Sequence, residues 1–86
     1  MPRISAFYGV EIYMYFRDHA PPHFHAIYGE VEAAVAIQSG DVVEGKLPKT
    51  ATKLVKKWAR QRAAELMADW ELAQQEQPLN WIPPLD

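Results

Sequence analysis

An 86-residue chain has room for one hydrophobic core and no separate cofactor module. Hydrophobic residues make up 49% and charged residues 23%, a globular mixture that excludes wholesale disorder, while a formal net charge of -2 argues at first sight against a nucleic-acid binder. The absence of cysteine excludes a disulfide framework and thiolate zinc ligation. No apolar run approaches the roughly 18 to 20 residues of a membrane span. The first eight residues also lack the basic and apolar regions of a secretory signal. A single cytoplasmic domain over residues 1–86 is expected, with dimerisation as a natural supplement to so small a core.

The first half alternates. Ile4 to Tyr8 is a short candidate strand ended by Gly9. From Val10 to Phe16, Val10, Ile12, Met14 and Phe16 share one strand face, and Glu11, Tyr13 and Tyr15 share the other. Arg17 to Pro22 reads as a turn, because two prolines cannot extend a ladder. His23 to Tyr28 and Val31 to Ile37 form a hairpin about Gly29-Glu30, and Val42-Val43-Glu44 is a last short strand.

A two-residue loop at Gly29-Glu30 sets Tyr28 opposite Val31, Ala26 opposite Ala33, and Phe24 opposite Val35. A five-residue loop, Asp18 to Pro22, then sets Tyr15 opposite His25 and Arg17 near His23. His23 and His25 lie on the second face beside Tyr13 and Tyr15, with small neighbours at Ala34 and Ala36. A one-residue slip would send the histidines into the core face.

Pro48 opens a helical pattern that runs to about Gln77 and stops at Pro78. Ala51, Leu54, Val55 and Trp58 make one apolar stripe; Leu66, Trp70 and Ala73 make another, displaced by roughly a quarter turn. One long curved helix over 48–77, or a break near Arg60 to Ala63, explains the shift equally well. The tail, 78–86, carries Leu79, Trp81, Ile82 and Leu85 among prolines and suits either an extended strap or a partner-docking segment. The expected fold is α+β: an antiparallel meander of four or five strands over 1–45, with one long C-terminal helix, straight or bent, packed on one face.

Charge is segregated along the chain. Residues 1–45 sum to -4, residues 46–62 to +7 with no acid, and residues 63–86 to -5 with no base. Lys49, Lys53, Lys56 and Arg60 share a helical face with Lys57 beside them. Bases near a helix N-terminus oppose the macrodipole, at a cost of about 0.3–1 kcal/mol each when close to the end. A solvated face would tolerate this. The alternatives are a phosphate track for RNA or DNA, or docking on an acidic protein, a second copy included. No aromatic residue interleaves the stripe, so base stacking there is not expected.

All three histidines fall within Asp18-His19-Ala20-Pro21-Pro22-His23-Phe24-His25. His-x-His on a strand points both imidazoles to one side, a spacing that suits two metal ligands. His19 would be a third, and Glu32 or Asp18 would complete the shell. Such nitrogen and carboxylate donors suit zinc, manganese, iron or nickel. The same residues also suit a structural polar cluster, phosphate contacts shared with Arg17, or metal-free catalysis. In a hydrolase of the ribonuclease type His23 and His25 would be base and acid, Arg17 would neutralise phosphate charge, and Tyr15 would orient an imidazole.

With this motif the chain resembles the bacterial family catalogued as domain of unknown function 4160. Further matching stretches are Pro2-Arg3-Ile4-Ser5, Met14-Tyr15-Phe16, Tyr28-Gly29-Glu30, Glu44-Gly45-Lys46-Leu47-Pro48, Trp58-Ala59, Glu65-Leu66, Trp70-Glu71 and Ile82-x-Pro84-Leu85. The resemblance implies a small stand-alone bacterial protein, often encoded beside a protein similar to domain of unknown function 2442. That arrangement looks like a toxin–antitoxin operon and implies a small acidic protein partner. It supplies no catalytic residue. The expected function is an interaction module of such a two-protein system, acting on or regulated by nucleic acid, with the hydrolase as the alternative.

Overall fold

The computed structural model describes residues 2–86. Five strands, β1 (Arg3–Phe7), β2 (Val10–Tyr13), β3 (His23–Tyr28), β4 (Val31–Ala36) and β5 (Val42–Gly45), form one antiparallel sheet in sequential order. Two helices follow, α1 (Lys49–Gln61) and α2 (Ala63–Gln74).

The hairpin of β3 and β4 has the expected register: Tyr28 faces Val31, Ala26 faces Ala33, and Phe24 faces Val35. Alternation along β3 and β4 therefore sorts the residues. Phe24, Ala26, Ala33 and Val35 enter the core, while His25 and Ala34 leave by the other side.

The pairing of β2 corrects the expectation by two residues. His25 pairs with Tyr13 and not with Tyr15, and β2 ends at Tyr13 instead of Phe16. Residues 14–22 leave the ladder because α2 competes for their backbone. The Arg17 N–H donates to the Ala73 carbonyl at 3.1 Å, and Gln74 Nε2 donates to the Asp18 carbonyl at 3.1 Å. A slip of two preserves the side-chain parity, so the histidines stay on the expected face. Met14 remains buried, but Phe16 is exposed, against the alternation that placed it in the core.

The long helix is two helices. Arg62, at φ -116° and ψ 24°, turns the chain within the interval where the apolar stripe shifts. Its N–H still reaches the Trp58 carbonyl at 3.0 Å and its carbonyl accepts from Leu66 at 2.9 Å, so the bend sacrifices little backbone pairing. Helical structure ends at Gln74, short of Gln77. Glu76 adopts φ 55°, and Gln77 N–H donates to the Leu72 carbonyl at 2.9 Å while Glu76 N–H donates to Ala73 at 3.1 Å, a Schellman termination made without glycine.

Both stripes reach one core. Trp58 is fully buried and meets Phe7 at 5.2 Å and Phe24 at 5.6 Å between ring centroids. Its indole N–H donates to the Pro83 carbonyl at 2.8 Å, and Ile82 N–H donates to the Ile4 carbonyl at 2.8 Å. The tail is therefore a strap on its own domain, with Ile82 and Leu85 buried; Trp81 is left on the surface. Among the described residues no helix is long and apolar enough to cross a membrane.

Candidate functional site

The short β2 and the nine residues after it build the site. Arg17 turns the chain in the left-handed region at φ 55°, anchored by its N–H on Ala73 and by its guanidinium on Glu76 at 3.2 Å. That turn brings Asp18 back over the start of β3. One oxygen of its carboxylate, Oδ2, lies 2.9 Å from His23 Nε2 and 3.1 Å from His25 Nε2. The other, Oδ1, accepts the His19 N–H at 2.8 Å and lies 2.9 Å from His19 Nδ1.

Each β3 histidine is also held from behind. His23 Nδ1 is 2.7 Å from the Pro21 carbonyl, which can only accept, so that nitrogen carries the proton. His25 Nδ1 is 3.2 Å from Glu32 Oε2, which also accepts the Tyr15 hydroxyl at 2.9 Å. Tyr15 stacks on His25 with ring centroids 4.0 Å apart, and Trp70 of α2 stands 5.3 Å from the ring of His23. His23 is buried and His25 nearly so, whereas the His19 side chain is 82% exposed.

Burial pushes the Asp18 carboxyl up, but hydrogen bonds from His25 and the His19 backbone, together with the charge and hydrogen bond of His23, outweigh it. The group is held below the usual carboxylate range. Tyr15 is pushed the other way, first by burial and then by its bond to Glu32, so its hydroxyl stays a donor.

Two shallow pockets open beside the cluster. One, about 150 Å³, touches His19, His23, Ala34 and Glu44; the other, about 190 Å³, touches His25, Glu32, Ala34 and Glu44. Ala34, paired with His25 on one side and Glu44 on the other, is the low point between them. A larger, mostly apolar cavity of about 550 Å³ opens between Pro21, Pro22, Ile37 and Met67, sharing Pro21 with the pocket beside His19 and His23.

Of the residues expected to act together, the structure joins His23, His25, Tyr15 and Glu32, and puts Asp18 at their centre. Asp18, His23 and His25 each offer a ligand atom within 4.8 Å of the others. Glu32 stands behind His25 instead of beside the other ligand atoms, and His19 holds the outer oxygen of Asp18. Arg17 is committed to Glu76, so the expected place near His23 is not where its guanidinium is found.

The basic residues lie elsewhere. Trp58 on α1 meets Phe24, whose side chain leaves β3 opposite to His23 and His25. Lys49, Lys53, Lys57 and Arg60 are exposed, and among the described residues none has an acid within 4.0 Å. Lys56 differs: it pairs with Asp41 at 2.8 Å and holds that carboxyl below its usual range.

With this geometry in view, comparison with known proteins is informative in one respect. Residues 9–71 match the family described as domain of unknown function (DUF4160). The chain belongs to this family. The match takes in the whole Asp18–His25 motif, four of the five strands and α1. No curated protein and no solved structure matches the chain. Two contributors to the candidate site escaped sequence reasoning. Glu44 enters only through the pairing of β4 with β5, which is short and irregular between Ala34 and Val35. Trp70 enters through the turn at Arg62. The shift of the apolar stripe was the one signal that pointed toward it.

Proposed function

We propose that this DUF4160 protein is a bacterial interaction module that engages nucleic-acid phosphates through α1, as one member of a toxin–antitoxin-like pair with a small acidic protein. One observation carries the reading: Lys49, Lys53, Lys57 and Arg60 stand exposed on one helix with no acid partner among the described residues. The first turn of α1 holds no acid, and no side chain caps it. Lys49 and Lys53 thus stand in the first half of α1, where the macrodipole disfavours them and no acid lies within 4.0 Å among the described residues, whereas Arg60 lies in the last turn, where the macrodipole favours it. A polyanion supplies the missing charge, releasing its counterions as it binds. The surface lacks interleaved aromatics, which fits a backbone track read without base identity.

The test is co-purification from the native host. The wild-type chain should elute with nucleic acid and a small acidic protein, and a Lys49→Glu/Lys53→Glu/Arg60→Glu variant of unchanged melting temperature should elute without nucleic acid. Equal recovery from both chains contradicts the reading.

A second reading, a ribonuclease-type or metal-dependent hydrolase, draws on the convergence of His23 and His25 upon one carboxylate oxygen. Two imidazoles fixed side by side can serve as base and acid. RNA turnover by the wild type, lost in His23→Ala/His25→Ala, supports it; no turnover in either removes it.

A further inference from the structure

We infer that Asp18 Oδ2, His23 Nε2 and His25 Nε2 bind one divalent transition-metal ion. The inference needs neither the α1 reading nor any turnover; it rests on the convergence of three ligand atoms and on what holds each ring from behind.

The Nδ1 proton of His23 is spent on the Pro21 carbonyl at 2.7 Å. Its Nε2 is thereby turned to the shared carboxylate oxygen, 2.9 Å away. His25 sits between two carboxylates, with Nδ1 at 3.2 Å from Glu32 and Nε2 at 3.1 Å from the same Asp18 oxygen. The two rings have centroids 5.1 Å apart, and one atom from each of Asp18, His23 and His25 lies within 4.8 Å of the others. One dication can take all three atoms as ligands at once.

The surroundings match what a metal histidine requires. A ligating imidazole donates its second N–H to a carbonyl or carboxylate, which fixes ring orientation and raises ligand basicity. Pro21 does this for His23 and Glu32 for His25, and Glu32 is itself steadied by Tyr15. The ligand atoms are 2.9 and 3.1 Å from their shared oxygen. Bond lengths of about 2.0–2.2 Å to nitrogen and oxygen are reached by a small opening of the cluster. Two nitrogens and one carboxylate select zinc, manganese, iron or nickel over calcium or magnesium. Three protein ligands leave coordination positions unfilled, and the small side chain of Ala34 leaves space beside them, with Glu44 at its far edge.

The experiment uses the full chain stripped with chelator and titrated with Zn2+, Mn2+ or Ni2+ alone. Wild type should take up one ion per chain and melt at a higher temperature with metal present. Asp18→Asn and His25→Ala should each lose at least tenfold in affinity, while His19→Ala retains it. A readout on the wild type alone covers the case of unfolded variants: substoichiometric Mn2+ should broaden the ring resonances of His23 and His25 before any others. No uptake of any of the three ions overturns the inference. Undiminished uptake by folded Asp18→Asn, or broadening that begins elsewhere, overturns it equally.

Discussion

Tyr15 stacks on His25 with ring centroids 4.0 Å apart and planes 22° from parallel, although the sheet pairs His25 with Tyr13. The stack survives the end of β2 because Tyr15 is tied to Glu32, on the strand next to His25. Tyr15→Phe keeps the ring and drops the hydroxyl, leaving Glu32 to His25 alone. Tyr15→Ala removes both. An aromatic pair of this kind is worth about 0.5–1.5 kcal/mol beyond its burial. Urea unfolding should therefore rank wild type, Tyr15→Phe and Tyr15→Ala in that order of stability. Equal midpoints for the two variants would show that the stack contributes nothing.

Asp69 is fully buried on α2, with Oδ1 accepting the Asn80 N–H at 2.9 Å and Oδ2 unpartnered. Burial raises its carboxyl above the usual range, a shift that the Asn80 bond opposes and the charge of Glu65 reinforces. A folded value above the unfolded one means that the native state holds the proton more tightly. Stability from this group is complete below the unfolded value of 3.8 and is lost as pH rises through the folded value. Asp69→Asn removes that dependence while retaining an acceptor for Asn80. Melting curves from pH 4 upward should show wild type losing stability relative to the variant; parallel curves would refute the shift.

Two glycines with positive φ separate backbone strain from crowding. A side chain at Gly29, φ 60°, meets open space, whereas one at Gly45, φ 81°, collides with the Glu32 carbonyl and Ala33 Cα on β4. Gly29→Ala should cost about 1–2 kcal/mol, the usual penalty of a left-handed residue. Gly45→Ala should cost clearly more and should disturb β5, which carries Glu44. Chemical denaturation of both variants checks the ranking, and equal losses would show that β5 yields without resistance.

Period-two alternation made β3 and β4 legible to the residue, because Phe24, Ala26, Ala33 and Val35 all need the same buried side. Alternation ran past the end of β2 for the opposite reason. Met14 and Phe16 continue the pattern, yet the Arg17 N–H goes to Ala73, 56 residues further along the chain and beyond any local signal. The break at Arg62 was visible as a shifted stripe but not distinguishable from curvature, since neither proline nor glycine marks it. His-x-His set both imidazoles on one side of β3, where both reach Asp18. The central position of Asp18 did not follow from spacing, because it depends on the left-handed conformation of Arg17, which a non-glycine residue in a turn does not announce.

The proposed polyanion track on α1 is tested most directly by the salt dependence of binding to a defined single-stranded RNA. Each phosphate neutralised by a lysine or arginine contributes a slope of about -0.7 to log K against log salt for a single strand. Wild type should give a straight line falling with salt, and Lys53→Ala should weaken binding and flatten the slope by roughly one such increment. An affinity that does not change with salt, or a Lys53→Ala slope identical to that of the wild type, would contradict the assignment of α1 as the binding surface.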